Sequence, residues 1–473
     1  MKFLVGKTGG VEAKLIFENN ICCDYIAYLK EKEIFSAKAE EVYYYVDAQL
    51  QGHLYIGMGE EEKIDLEQMR KTFFKVANVL IDNKVEEITL QIPKLNGLCN
   101  MKLAQAISEG MMHACYRFDM FKSDKKELPQ ITVNYNPIPG KEERAKLGIE
   151  QTEKLMEAIF LTRNIVNQPA NYIYPETLAN IAKEELEKVG VKVTVHNKAE
   201  IEKLNMAAFL SVARASAKEP KLIVMEYNGN PDSDERIALV GKGLTYDSGG
   251  YALKPATGMV TMFCDMGGAG TVIGAMHAIA NLKAKVNVVA VVAACENMIS
   301  GDGYKNGDII SSMSGKTIEI VNTDAEGRLT LADAVYYAAN HLGATKLIDL
   351  ATLTGACLVA LGEQVSAVVS NNDAFYAELQ EASFRAGEDV WMMPNMEYFR
   401  KMNDSKVADL KNSGGRFGGT ISAGLFVGEF LCKDIPWMHI DIAGTAYIDS
   451  PYKYLKEGAT GTLVKSLYYL LSK

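Results

Sequence analysis

The sequence predicts an α/β protein, with an N-terminal α/β domain followed by a larger domain built on a mainly parallel sheet flanked by helices. Three observations carry this expectation. Short apolar runs alternate with segments of helical periodicity along most of the 473 residues. In the second half the runs become nearly continuous in apolar residues, as in strands buried on both faces. Between the halves lies a charged stretch with a long helical pattern, "PIPGKEERAKLGIEQTEKLMEAIFLTRNIVNQPAN".

Taken in order, "AKLIFEN", "EEVYYYVDA", "HLYIGMG", "EEITLQIP" and "QITVNY" have strand composition. Between them, "DLEQMRKTFFKVANVLIDNK" and "LAQAISEGMMHACYRF" space their apolar residues as helices do. No dense polar cluster stands in this first portion. The charged stretch reads as a linker entering a helix that ends near Asn167, which sets the domains at 1–145 and 169–473, with a linker helix at 146–168. Beyond it, "KLIVMEY", "RIALVGKG", "VNVVAVVAA", "KTIEIVN", "TKLIDLAT" and "WMHIDIAG" read as strands of one sheet. In such sheets, chemistry collects beyond the strand C-termini.

Composition narrows the function classes. Sixty acidic against fifty basic residues give a formal net charge of −10, so no overall field draws nucleic acid or an anionic membrane. No run approaches the roughly 18 apolar residues of a membrane span. The N-terminus reaches glycine too early for a signal peptide, so the sequence predicts a cytoplasmic protein. Eight cysteines without a CxxC pair, Cys22 and Cys23 being adjacent, read as reduced thiols filling small core positions. Six histidines, none paired as HxxxH or HxH, speak against a histidine-rich zinc site.

Polar residues gather where the later strands end. Lys242 and Asp247 stand in "GKGLTYDSGG", Lys254 in "YALKPATGM", Asp265 in "MFCDMGG", and Asp324, Glu326 and Arg328 in "NTDAEGRL". Each has a plain alternative. "TDAE" fits a capping box, in which Thr323 and Glu326 would satisfy backbone N–H groups at a helix start. Gly327 weakens that reading, since glycine early in a helix costs about 1 kcal/mol relative to alanine and suggests that something needs the backbone close. Asp247 and Asp265 could each be solvated loop acids, and Lys254 a surface lysine. Together, however, four carboxylates on neighbouring strand ends would repel without cations. Shared carboxylates suit a pair of divalent metals, roughly 3.5–4 Å apart in two-metal hydrolases. One rival motif, "GGAGTVIG" from Gly267 to Gly274, approximates a dinucleotide-binding pattern and would imply an NAD-dependent oxidoreductase. It lacks a well-formed preceding strand and a ribose-binding acid, so close helix packing accounts for its glycines better.

These residues carry a resemblance. "NTDAEGRL" resembles the signature of the leucyl aminopeptidase family of dinuclear metallo-exopeptidases, and so does its context: "VGKGLTYDSGG", "LKPATGM", "CENM", "MSGKTIEIVNTDAEGRL", "DLATLTGA", "NSGGRFGG" and "HIDIAGTAY". "RNIVNQPAN" marks the start of the similar catalytic domain. The first domain is similar more loosely, through "YIGMG", "RKTFFKVANVL" and "EGMMHACYRFDMFKS".

The resemblance implies a ligand set. Asp247 and Glu326 would be shared by two metals, with Asp324 completing one site and Lys242, as a neutral amine, with Asp265 completing the other. Zinc or manganese would serve, with cobalt or magnesium as further options. Lys254 and Arg328 would be catalytic without binding metal, Lys254 as electrophile and Arg328 as holder of a bicarbonate base. The substrate side chain would meet Met262, Thr352, Gly355, Ala443 and Ala446, a set suited to leucine-like residues. The implied activity is removal of N-terminal residues from peptides by a homohexamer. A DNA-binding architectural role, as in some relatives, is the alternative, and the negative charge speaks against it. Three positions depart from the family's pattern. Phe263 replaces a frequent lysine and Val260 a frequent acid, both flanking the substrate pocket, and Asp302 stands where a basic or small residue is common.

Overall fold

The computed structural model describes residues 1–20, 23–95, 97–125 and 127–472. They form two compact units, Met1–Glu157 with Pro451–Lys456, and Ala158–Ser450 with Glu457–Lys473.

The first unit is built on six strands: β1 (Lys2–Val5), β2 (Val11–Phe17), β3 (Val42–Val46), β4 (Gly52–Gly59), β5 (Glu87–Gln91) and β6 (Thr132–Asn136). They lie in the order β1-β6-β5-β2-β4-β3, parallel except for the β3–β4 pair. The helices Leu66–Asp82 and Asn100–Cys115 bury Phe73, Val76, Leu80, Leu103 and Ile107 in one core with Leu54, Ile88, Leu90 and Val133 of the sheet. Asp65 caps the first of these helices by accepting from Gln68 N.

The second unit carries the eight-stranded sheet. Its strands are β7 (Lys192–His196), β8 (Lys221–Asn228), β9 (Ile237–Asp247) and β10 (Asn287–Asn297). After the short β11 (Ile309–Ser311) and β12 (Thr317–Glu319) come β13 (Lys346–Ala351), β14 (Val365–Ser370) and β15 (Asp389–Met392). The two-residue β16 (Leu410–Lys411) precedes β17 (Trp437–Asp441). The sheet order is β15-β14-β17-β13-β9-β10-β8-β7. Around the central β9 the pairings are parallel, and so is β14–β15. The β7–β8, β8–β10 and β14–β17 pairs are antiparallel. β10, β13 and β17 are buried almost throughout, which is why they read as unbroken apolar runs.

"KTIEIVN" departs from expectation. Only Thr317–Glu319 is strand, and it belongs to a separate three-stranded sheet, β11-β12-β16. Ile318 and Ile320 are buried while their neighbours are not, and Asp409 accepts from Thr317 N and Oγ1, each at 2.8 Å. That alternation fits a half-exposed sheet rather than the doubly covered core. The cysteines depart as well. Cys264, Cys295 and Cys357 are core residues, whereas Cys23, Cys99 and Cys432 are exposed; Cys22 lies outside the described residues.

The glycine-rich segment starts the helix Gly267–Asn281, buried on all sides except its last residue. A Cβ at Gly268 would collide with the Leu350 carbonyl oxygen of β13, and one at Gly274 with the Thr162 hydroxyl of the long helix Glu142–Val166. These glycines let a helix approach its neighbours closely, as packing rather than nucleotide binding requires. No helix among the described residues is long and apolar enough to cross a membrane.

Candidate metal centre

Lys242 and Asp247 both lie on β9, five residues apart, which in a regular strand would aim them at opposite faces. The ladder between β9 and β10 is not regular. Leu244 pairs with Cys295 and Tyr246 with Glu296, leaving Thr245 as an extra, unpaired residue. This one-residue bulge flips the phase, so both side chains reach the same cluster. Asp265 follows the short 3-10 turn Met262–Cys264 and precedes the glycine-rich helix. Asp324 and Glu326 come from the loop after β12, at the start of the helix Gly327–Asn340.

The capping-box reading of "TDAE" is not realised. Glu326 occupies the N-cap without a side-chain cap bond. Thr323 instead ties two loops, donating to Gly249 O at 2.8 Å and accepting from Ala252 N at 2.7 Å.

The acids converge. Ligand oxygens of Asp247, Asp265 and Glu326, all buried, lie within 4.8 Å of one another. Lys242 Nζ stands 2.7 Å from Asp265 Oδ2 and 3.0 Å from Glu326 Oε1. Lys254 Nζ bridges Asp247 Oδ2 at 2.8 Å and Asp324 Oδ1 at 2.6 Å. Burial above all, then the neighbouring acids, pushes the Asp247 and Asp265 carboxyls up, against the pull of the lysines. Burial opposes ionisation of Glu326 too, but Lys242 and Lys254 outweigh it and hold that carboxyl low. Burial likewise disfavours the Lys242 ammonium, yet Asp265, Glu326 and Asp247 raise its affinity for the proton.

Arg328, the second residue of that helix, is buried, and its Nε has no hydrogen-bond partner among the described residues. Burial lowers its pKa to about 10 against the attraction of Glu326 and Asp441. A cavity of about 580 Å³ connects these groups. Met262, Thr352, Gly355 and Ala443 line it, while Ala446 is buried beside it against Gly267. Thr352 is fixed on both ends, its hydroxyl donating to Asp265 Oδ1 at 2.8 Å and its carbonyl accepting from Lys242 Nζ at 2.9 Å. Val260 is exposed, Phe263 packs edge-on against Tyr447, and Asp302 accepts from Arg214 Nε through its backbone oxygen.

Three supporting residues escape sequence reasoning. Asn297 donates to Asp247 Oδ1 at 2.8 Å and to Thr323 O at 3.0 Å, so it joins the two acid-bearing loops. Asn412 accepts from Val321 N and donates to Asn322 O and Ala325 O, shaping the loop that presents Asp324. Buried Asp441 accepts from Thr354 Oγ1 at 2.6 Å and from Leu353 N and Ala443 N at 3.1 Å, and thus braces two walls of the cavity. The only signal for the asparagines is their place in "CENM" and "NSGG".

The donor set suits divalent cations. Glu326 Oε2 is buried and accepts no hydrogen bond among the described residues. Among the described residues, Asp265 Oδ2 and Asp324 Oδ1 meet only ammonium groups, outside hydrogen-bond geometry. Oxygen-rich carboxylate clusters with spare lone pairs favour hard divalent ions, and an adjacent amine extends the range towards zinc.

Residues 160–468 match the catalytic domain of the cytosol aminopeptidase family, and residues 10–125 match its N-terminal domain. The chain belongs to the cytosol aminopeptidase family. Within it, the chain is similar to a probable cytosol aminopeptidase of Treponema denticola, 73% identical over the whole of both chains. A second relative, from Clostridium tetani, carries the same name and is 48% identical, covering 99% of this chain and 98% of its own. Among solved structures, the bottromycin maturation enzyme BotP in complex with Mn superposes with a TM-score of 0.89 at 30% identity, covering 98% of this chain and 99% of that one. As a cytosol aminopeptidase family member the chain is a peptidase, a hydrolase of the metal-dependent aminopeptidase type.

Proposed function

We propose that the protein removes leucine-like and other apolar residues from the N-termini of peptides, using two divalent ions, zinc or manganese, in the carboxylate cluster. The convergence of Asp247, Asp265 and Glu326 around Lys242 is the observation that supports it most. In this reading Asp247 and Glu326 are shared ligands, Asp324 completes one site, and Lys242 with Asp265 completes the other. When bound, the ions supply Lewis acidity and lower the pKa of water towards neutrality.

The remaining work falls to side chains. Lys254, poised between Asp247 and Asp324, keeps an ammonium where negative charge develops on the scissile carbonyl oxygen and stabilises it. Arg328 supplies a buried guanidinium able to hold a bicarbonate base, since its Nε is not used by the protein. Met262, Thr352, Gly355, Ala443 and Ala446 shape the space for the N-terminal side chain, and their small or apolar character favours leucine-like residues. Residues 169–473 are the catalytic domain in this reading, joined to 1–145 through 146–168. We further infer a homohexamer in the cytoplasm, acting on peptides with a free N-terminus; sedimentation velocity decides the assembly.

Release of chromophore from leucine anilide, with manganese, zinc or cobalt added and abolished by chelator, tests the activity. No metal-dependent release with any of these ions would sink it.

A further inference from the structure

Beyond the residues assigned above, three more charged side chains line the cavity, Glu363, Arg416 and Asp449. Asp449 stands two residues beyond Tyr447, another lining residue. Its carboxylate has no hydrogen bond or ion pair with any described residue, and it is exposed to solvent. Tyr447 and Cys264 line the same wall.

Among the described residues no cation pairs with Asp449. Phe263 packs edge-on against Tyr447 with ring centroids 5.8 Å apart. Lys242 and Lys254 are committed to the acid cluster. Arg416 reaches the cavity from the separate "NSGGRFGG" loop and forms no ion pair with Asp449. The cavity lining thus combines apolar surface from Met262 and Tyr447 with a carboxylate, Asp449, that no described cation pairs. Lysine and arginine match that sequence of surfaces, with an aliphatic stem and a charged tip.

We propose that Asp449 makes the pocket accept N-terminal lysine and arginine alongside apolar residues. This rests on the aminopeptidase reading of the same site. The carboxylate is solvent-facing, so its effect is modest and salt-dependent, roughly two- to tenfold in preference.

The test is the ratio of kcat/KM for arginine anilide to that for leucine anilide, measured on the manganese-loaded enzyme. The ratio is expected to fall roughly two- to tenfold in D449N, to fall further in D449K, and to be retained in D449E. Raising the ionic strength lowers it in the wild type. Calorimetric binding of arginine amide against leucine amide gives a second readout and should move in the same direction. Leucine turnover with a ratio that is the same in wild type, D449N and D449K overturns this inference alone. Failure to release either amine overturns it together with the aminopeptidase reading.

Discussion

Gly327 leaves the space that the Lys242 side chain fills. A Cβ at 327 would fall 2.7 Å from Lys242 Nζ and 2.8 Å from its Cδ, closer than any real contact allows. The glycine that looks costly at a helix start thus serves a residue 85 positions away on the central strand (327 − 242).

Gly327→Ala is therefore expected to push Lys242 away from Asp265 and Glu326. Displacing a group that orients a metal cluster typically costs about 10–100-fold in metal affinity or activity. Manganese titration followed by leucine anilide assays measures both. An alanine variant with wild-type metal affinity and turnover would show that the Lys242 position is not needed.

Asp324→Ala with Glu326→Ala removes two of the clustered carboxylates. Activity and metal content should both be lost. In the wild type, an ion at 100 times its dissociation constant stabilises by about 2.7 kcal/mol, so chelator should lower the melting temperature. Equal activity in the double variant would refute the site assignment, and differential scanning fluorimetry follows the stability change.

Lys254→Ala should separate chemistry from loading. The expected fall in kcat is about 10²–10³-fold, the usual cost of removing one oxyanion donor, with bound metal retained in elemental analysis. Disappearance of the metal would make Lys254 a ligand instead.

A pH effect on stability comes from Asp333, fully buried on the helix that begins at Gly327. Burial raises its carboxyl to about 7, although the backbone N–H groups of Met313 and Phe209 pull the other way. The unfolded chain ionises near the ordinary carboxylate value, whereas the folded chain keeps the proton until about pH 7. Between these limits the folded state binds more protons, so stability falls as pH rises, by at most about 1.4 kcal/mol per unit, and levels off above. Asp333→Asn should flatten that slope between pH 5 and 7 in urea titrations of chelated protein. Parallel slopes in variant and wild type would exclude Asp333 as the source.

Much of the fold was legible because its core strands are buried on both faces and read as unbroken apolar runs. β8, β9, β10, β13 and β17 all stand where such runs occur. The edge strands β1, β7 and β15 did not stand out, being short and only partly buried. The polar clustering was legible too, residue by residue. The way Lys242 and Asp247 share one face was not, since it depends on the bulge at Thr245, and regular period-two reading separates them. Asn412 and Asp441 were silent for another reason: each acts through backbone groups of segments distant in sequence, a relationship with no local pattern.

The tightly packed glycines of the helix Gly267–Asn281 have a consequence for reading variation. Gly268 is closed by a backbone oxygen and Gly274 by a hydroxyl, so neither admits even a methyl group without displacement. A saturation-mutagenesis survey of this chain would score them as intolerant as Glu326. Intolerance maps crowding as faithfully as it maps reactivity, and only a readout of turnover per folded molecule would tell the two apart.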